Sequence, residues 1–324
     1  MSVRIVLINP LDDTLRHFET ELMESLAAAG YHDVEWDRGP QAEGRNNTWS
    51  KLAVAARTVA HRLRLAWTTT NKTVLVVWPI FGYFDILTTA LLTRRNRVFT
   101  IVHDPTPLRE SYGYSPWARR AFAATVRRTR TEIIYHTETA RAAGVKATGV
   151  NGLVLPHPIR QDGPESIGTN RTTPPIVRVV GQNKRTRSLS ALTRIANDLR
   201  DEAVLDIHGR GWPDMDGWNV SDRFIPEDRF DQIVREAACI VIPYDEFYQS
   251  GVAVRCLEAG VPVVGPRHEH IAELYGHDWP GLVDDDDWSG AIRRVLALDP
   301  AHTEARRSAV RVLVRTAWAG ALDR

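Results

Sequence analysis

The sequence is poor in cysteine and in net charge, and each shortage excludes a class of protein. Only two cysteines occur among 324 residues, Cys239 and Cys256, and both have apolar neighbours. They provide neither a disulfide framework nor the spacing of a metal site, and they favour a reducing, cytoplasmic setting. With 41 basic and 40 acidic residues, the chain also lacks the excess of positive charge that is typical of nucleic-acid-binding proteins.

Long apolar runs are scarce as well. The first ten residues contain too short an apolar run for a signal peptide. The longest apolar stretch, residues 73–92, is interrupted by Pro79, Gly82 and Asp85. Because a membrane span needs about 20 predominantly apolar residues, this stretch predicts instead a buried strand that turns into a helix.

The charges that are present are distributed unevenly. Residues 1–155 contain 20 Lys and Arg against 14 Asp and Glu, a net charge of +6, whereas the remainder contains 21 against 26, a net charge of −5. Residues 51–67 predict an amphipathic helix rich in basic residues. Two interpretations of this helix remain open: a solvated face, or a surface that contacts an anionic membrane.

The chain is long enough for two domains, each with its own core. Short apolar runs alternate with segments of helical periodicity, which predicts doubly wound α/β sheets. We expect a first domain over residues 1–158, a linker over residues 159–175 that is rich in Gly, Pro, Ser and Thr, and a second domain over residues 176–300. Within the second domain, residues 228–238 predict a helix that leads to a buried strand.

Residues 239–264 combine a short apolar run, a helical segment and a second apolar run. Ser250 is a good N-cap for the helical segment, and Gly251 lets another group approach the backbone closely. The free N–H groups at such a helix end attract an anion. Glu258 follows Gly251 by seven residues, which places it nearly beneath Gly251, about 10 Å along the helix axis.

This stretch resembles the donor site of GT-B glycosyltransferases, in particular the retaining enzymes of family 4. The family pattern is a Glu, seven residues, a second Glu, then a small residue, Gly and Pro-Val. Glu258 matches the second Glu, and Ser250 stands where the first is usual. The remaining matches are Ala259, Gly260, Pro262 and Val263, together with Pro243, Tyr244, Gly251 and Val252 of a Ser-Gly-Val variant.

The resemblance implies a GT-B fold, in which two Rossmann-like doubly wound domains face each other across a cleft. The first domain would bind the acceptor, the second a nucleotide sugar, and the helix of residues 301–324 would cross back to the first domain. The implied activity is transfer of a sugar, with retention of configuration, to a glycan or lipid-linked acceptor in cell-envelope or exopolysaccharide assembly. We expect no metal and no cofactor, and a cytoplasmic protein, with peripheral association at the inner face of the membrane as an open alternative.

The resemblance also assigns individual residues. His103 follows an apolar run, as does the histidine that lies near the transferred sugar in the family, although a turn or capping histidine is the other interpretation. Fixed cations favour the charge that develops on a departing diphosphate. The implied catalytic residues are His103, Lys184 and Arg187, and the implied donor-binding residues are Gly181, Gly209, Ile225, Tyr244, Ser250, Gly251, Val252 and Glu258.

Two alternatives remain open. The missing first Glu leaves room for a catalytically silent relative that binds a sugar nucleotide and acts through a partner. The second is a sugar-nucleotide epimerase of the same fold, which requires acid and base carboxylates. Asp214 and Asp216 have the spacing used by metal-dependent transferases, but they lie in a surface-type stretch, and we expect no metal there.

Overall fold

The computed structural model describes residues 3–9, 16–40, 48–79, 81–107, 112–162 and 172–323. The chain folds into two compact units. Unit 1 comprises Met1–Pro158 and Val314–Arg324, and unit 2 comprises Ile159–Leu313.

Unit 1 is built on a parallel sheet of six described strands in the order β2-β1-β3-β4-β5-β6. Its central strands are buried along most of their length, as expected for a parallel sheet that helices cover on both faces. The strands are β1 Arg4–Ile8, β2 Asp33–Asp37, β3 Thr73–Val76, β4 Arg97–Ile101, β5 Thr131–Tyr135 and β6 Leu153–Val154. The helices are α1 Arg16–Ala28, α2 Thr48–Thr68, α3 Asp85–Thr89, α4 Pro116–Arg128 and α5 Glu138–Thr148, with short 3-10 turns at Gly82–Phe84, Ala90–Arg94 and Tyr112–Tyr114.

Unit 2 contains a second parallel sheet, in the order β12-β11-β10-β7-β8-β9. Its strands are β7 Ile176–Val180, β8 Val204–His208, β9 Asn219–Ser221, β10 Cys239–Val241, β11 Val263–Pro266 and β12 Leu282–Val283. Its helices are α6 Leu189–Leu199, α7 Glu227–Arg235, α8 Gly251–Glu258, α9 Glu269–Tyr275 and α10 Trp288–Leu296. The last helix, α11 Pro300–Trp318, begins in unit 2, and its residues from Val314 onward belong to unit 1.

The strand order of unit 2 is that of the dinucleotide-binding doubly wound fold. From β7 the chain continues to β8 and β9 on one side, and it then returns to β10, which pairs with β7 on the other side. The loops that leave β7 and β10 therefore diverge, and a crevice opens beyond the carboxyl ends of these two strands. The predicted α/β class with doubly wound sheets is confirmed.

Two predictions about apolar segments are also confirmed. Cys239 and Cys256 are fully buried, and burial raises the pKa of Cys239 to about 12, so this thiol is a protonated core group. Residues 73–92 begin as strand β3 and continue into α3. No helix among the described residues is both long and apolar enough to cross a membrane.

Candidate functional site

The amino end of α8 lies at the divergence of the β7 and β10 loops. Ser250 has extended backbone angles, and its Oγ accepts a hydrogen bond of 3.2 Å from the Ala253 N–H, which confirms the predicted N-cap. The N–H groups of Gly251 and Val252 precede the first intrahelical hydrogen bond. Apart from the flanking residues and the backbone of α8 itself, no atom of the described residues lies within 4 Å of the position that a Cβ of Gly251 would take. This helix end is therefore sterically open to an anion.

Helix α8 is held firmly behind this open end. Arg255 donates to Asp231 at 2.5 Å and to Glu227 at 2.6 Å, and its guanidinium carbon lies 4.0 Å from the Phe230 ring centroid. These contacts fix α8 to α7. On another side of the helix, Tyr275 Oη of α9 lies 3.3 Å from the Ala253 carbonyl oxygen and 3.1 Å from that of Val261. These contacts hold α8 behind its open end.

Three predicted site residues meet at the end of β7. Gly181 has a φ of +98°, and a Cβ at this position would lie 3.0 Å from Arg187 Nη2 and 3.9 Å from Val252 Cγ2. The missing side chain of Gly181 thus leaves space between the guanidinium group and the first turn of α8. The structure thus places the buried guanidinium group of Arg187 close to the amino end of α8.

Gly209 supports this arrangement from the neighbouring strand. A Cβ on Gly209 would lie 2.1 Å from the carbonyl oxygen of Gly181, which is far inside van der Waals contact. The turn after β8 can therefore pack on the turn after β7 only with glycine at this position. The Gly209 contact is with protein backbone, so its role in the structure is to shape the site.

Arg187 is almost fully buried, with 6% of its surface exposed. Its Nη2 donates to the Val180 carbonyl at 2.9 Å, and its guanidinium carbon lies 4.5 Å from the ring centroid of Tyr244 and 5.2 Å from that of Trp212. Burial lowers the pKa of Arg187, and interaction with Tyr244 opposes that shift. The guanidinium group nevertheless remains protonated at neutral pH, because arginine starts from so high a pKa.

Trp212 was not predicted from the sequence. Its Nε1 donates to the Gly181 carbonyl at 2.8 Å, and it is 4% exposed. The sequence signal for Trp212 was its place directly after the Gly209-Arg210-Gly211 turn. Glycines leave the backbone uncovered, so a large ring can pack against it.

Lys184 occupies the same loop as Arg187 but in a different environment. Its side chain is exposed, and its carbonyl accepts from the Arg187 N–H at 2.9 Å. One loop therefore presents a buried cation held in place by two rings and an exposed one on a flexible stem.

Glu258 is the last residue of α8. Its Oε1 accepts from the Arg160 N–H at 2.8 Å, and its carbonyl oxygen accepts from Arg307 Nη1 at 2.9 Å. The first bond orients the half-buried carboxylate, and the second holds the backbone at the end of α8. Ile225 lies in the loop that follows β9, half-buried beside Phe224, whose side chain is 72% exposed.

His103 belongs to unit 1 and follows β4 by two residues. It is 4% exposed, and its Nε2 lies 3.0 Å from the Val77 carbonyl oxygen. Its ring centroid lies 5.3 Å from that of His136, which in turn lies 5.2 Å from that of His157. This group of three histidines was not predicted from the sequence. Each of the three histidines follows an apolar run that predicts a strand. Because parallel strands end at one edge of their sheet, this pattern indicates that the histidines lie close together.

Asp214 and Asp216 are exposed in the turn between β8 and β9. Asp216 Oδ2 lies 3.4 Å from Arg200 Nη2, so this carboxylate already forms an ion pair with an arginine. The two residues lie outside the group formed by Gly181, Arg187 and the first turn of α8.

No protein-family model and no curated protein sequence matches the chain. Solved structures do match. TarM of S. aureus is similar over 79% of this chain and 54% of its own, with 11% identity and a TM-score of 0.58, so the chain spans about half the length of TarM. An alpha,alpha-trehalose-phosphate synthase (UDP-forming) from Burkholderia vietnamiensis is similar over 98% of this chain and 95% of its own, with 13% identity and a TM-score of 0.62.

Sucrose-phosphate synthase from Thermosynechococcus elongatus is similar over 98% of this chain and 95% of its own, with 15% identity and a TM-score of 0.65. At such low identities a structural match establishes the fold and leaves the chemistry to the site. Two parallel six-stranded sheets with flanking helices, matched along nearly their whole length, identify that fold. The chain has the GT-B fold.

Proposed function

We propose that the chain is a glycosyltransferase that transfers a sugar from a nucleotide-sugar donor to a glycan or lipid-linked acceptor. One observation carries the proposal: the open, Ser250-capped end of α8 lies beside the buried cation of Arg187 at the switch point of a dinucleotide-type sheet. One of the similar structures supports it, since that protein is a UDP-forming synthase.

The donor diphosphate would rest on the N–H groups of Gly251 and Val252. Anions are favoured at this end of a helix because the unpaired amides and the helix dipole both attract negative charge. Glu258 would accept hydrogen bonds from the ribose hydroxyls, and the loop at Ile225 would contact the base. Gly181, Gly209 and Tyr244 would line the donor site.

The reaction breaks the bond between the anomeric carbon and the diphosphate oxygen. Negative charge then develops on the leaving diphosphate, and Lys184 and Arg187 would stabilise it. We propose retention of configuration, as in family 4, with the acceptor attacking on the face from which the diphosphate departs and the leaving phosphate taking the acceptor proton. The acceptor would bind unit 1, with its hydroxyl near His103, and the proposed mechanism uses no metal.

Unit 1 also presents a surface that suits a membrane-bound acceptor. Helix α2 contains no acidic residue, and Val59, Leu63 and Trp67, spaced four residues apart, are 40%, 42% and 73% exposed. An apolar stripe on a basic helix is typical of helices that lie in the interface of an anionic bilayer. We propose that α2 brings a cytoplasmic protein to the inner face of a membrane, where cell-envelope or exopolysaccharide precursors are assembled.

A second candidate is a catalytically silent protein that binds a sugar nucleotide and acts through a partner. The observation in its favour is that Ser250, which replaces a carboxylate of the family pattern, uses its hydroxyl as a helix cap. Product formation distinguishes the two candidates, since both bind the nucleotide.

The test begins with thermal-shift measurements in UDP, GDP and ADP, followed by incubation of the matching nucleotide sugars with sugar and lipid-linked acceptors. We expect one nucleotide to stabilise the chain and one donor to give a glycosylated product. Glu258→Ala should weaken nucleotide binding, and Lys184→Ala with Arg187→Ala should lower turnover at saturating donor. Lys146→Ala, an exposed change in unit 1, is the control. Unchanged kinetics in the site variants would refute the site, and binding without product would favour the silent protein.

A further inference from the structure

Unit 1 contains a basic groove between α4 and the end of α5. The groove has a volume of about 520 Å³. Three arginines of α4 contribute to its wall, and small side chains of α4 and α5 contribute to its floor. These residues are Arg119, Arg120 and Arg127, with Ala123, Ala124 and Ala147.

The groove is strongly basic. Residues 116–130, which include α4, contain five arginines and no acidic residue. Among the described parts of the chain, no carboxylate forms an ion pair with Arg119, Arg120 or Arg127. The acidic residue at the start of α5, Glu138, is paired with Arg141 at 2.5 Å.

Neighbouring groups hold two of these arginines in position. A Cβ on Gly149, the left-handed C-cap of α5, would lie 3.3 Å from Arg127 Nη2, so this guanidinium group lies beside the negative end of the α5 dipole. Arg120 lies 5.5 Å from the ring centroid of Trp117, which is 73% exposed at the start of α4. Arg119 and Arg127 are separated by eight residues, about 12 Å along a helix axis.

A planar guanidinium group can donate two parallel hydrogen bonds to the oxygens of one phosphate. Alanine side chains form no hydrogen bonds, so they favour contact with an apolar group. Arginines and alanines in one groove suit a ligand that is polar at one end and apolar at the other. We propose that the groove binds the phosphate group of an ester that also has an apolar part. The ester is either a lipid in a membrane or a free molecule, and both present the same chemistry. The groove belongs to unit 1, so this proposal is independent of the donor site in unit 2.

Adjacent arginines provide a matched pair of variants for the test. Arg127 and Arg128 are both exposed in the last turn of α4, but only Arg127 lines the groove. The full chain is titrated by calorimetry with short-chain phosphatidic acid below its micelle concentration. It is also sedimented with vesicles of phosphatidylcholine alone or mixed equally with phosphatidic acid.

We expect Arg127→Ala to weaken binding of the phosphatidic acid probe by about tenfold, the loss of one charge-assisted hydrogen bond, and Arg128→Ala to change it less than twofold. Arg120→Glu, at an exposed position, should abolish binding without affecting the fold. Binding of both probes identifies a free ester as a ligand, and binding of vesicles alone identifies a lipid surface. No binding by the unmodified chain, or equal losses in Arg127→Ala and Arg128→Ala, would overturn the proposal. Thermal unfolding of each variant, which should match that of the unmodified chain, verifies that the variant is folded.

Discussion

The guanidinium carbon of Arg187 lies 4.5 Å from the ring centroid of Tyr244, and the backbones of the two residues form an isolated antiparallel bridge. This pair joins the loop after β7 to the loop after β10, the two loops that diverge at the switch point. A buried cation with a fixed orientation is what a leaving diphosphate requires, because no reorganisation is then needed as its charge develops.

Tyr244→Ala should weaken nucleotide binding by about tenfold, since a desolvated cation–π contact contributes up to about 2 kcal/mol. Tyr244→Phe should retain most of the affinity because it keeps the ring. Calorimetric titration with the nucleotide that stabilises the chain measures both. If the ring acts through the cation, adding Arg187→Ala to Tyr244→Ala should cost less than the sum of the two single losses. Additive losses would show that Tyr244 does not act through Arg187.

Two glycines of the site should respond to the same substitution in opposite ways. Gly251→Ala adds a methyl group that no described residue outside the first turn of α8 obstructs, and alanine favours a helix, so the free energy of unfolding should rise by up to about 1 kcal/mol. The same methyl group crowds the open helix end, so nucleotide affinity should fall. Gly209→Ala brings a Cβ to 2.1 Å from the Gly181 carbonyl oxygen and should destabilise the chain by about 3 kcal/mol.

Urea unfolding and calorimetry separate these effects. A Gly251→Ala variant that is as stable as the parent and binds nucleotide equally well would show that the end of α8 is not the phosphate site. The Gly209→Ala variant is the comparison: it should bind nucleotide less well because the chain itself is destabilised.

Substitutions of Ser250 separate its role as a helix cap from its effect on the proposed binding of a phosphate. Ser250→Ala removes the acceptor for the Ala253 N–H and should lower the free energy of unfolding by about 1 kcal/mol. Ser250→Asp restores a good cap, so stability should return. Unlike the longer Glu of the family pattern, an Asp that caps the helix keeps its charge at the helix end, where it would repel a phosphate, so nucleotide affinity should fall. Full nucleotide affinity in Ser250→Asp would contradict the proposed position of the diphosphate.

The sequence predicts those parts of the site that depend on local signals. The cap at Ser250 could be predicted because N-cap preference is a property of one residue and the few that follow it. The residue at which α7 ends could not be predicted in this way. The sequence predicts a helix to Ala238, but α7 ends at Arg235. Alanines such as Ala237 and Ala238 favour helices intrinsically, and it is pairing of the next strand with β7 that ends the helix.

The contacts that give the site its chemistry connect residues far apart in the chain. Trp212 and Tyr244 hold Arg187 from two different loops, and nothing local to either residue specifies that neighbour. The three histidines of unit 1 likewise come together only because β4, β5 and β6 end at one edge of the sheet. Strand order decides such contacts, and periodicity along the chain does not reveal strand order.

His268 gives unit 2 a pH-dependent stability. It is the N-cap of α9, and its Nδ1 accepts from the His270 N–H at 3.2 Å, which requires a neutral ring. The ring also stacks on Phe247 at 4.0 Å between centroids. Burial lowers the pKa of His268 below its usual 6.5, although Glu269 and a hydrogen bond to the Phe247 backbone oppose the shift.

The sign of the effect follows from the two states. An unfolded histidine binds its proton near pH 6.5, and the folded His268 does so only at lower pH, so protons favour the unfolded chain. The free energy of unfolding should therefore fall as pH drops below about 6.5. His268→Asn keeps a good cap but does not titrate, so thermal unfolding between pH 8 and pH 5 should show a smaller loss than in the parent, on the order of 1 kcal/mol per unit of pKa shift. His277→Asn, at an exposed position, should retain the parental pH dependence, and the same dependence in all three proteins would show that His268 is not responsible.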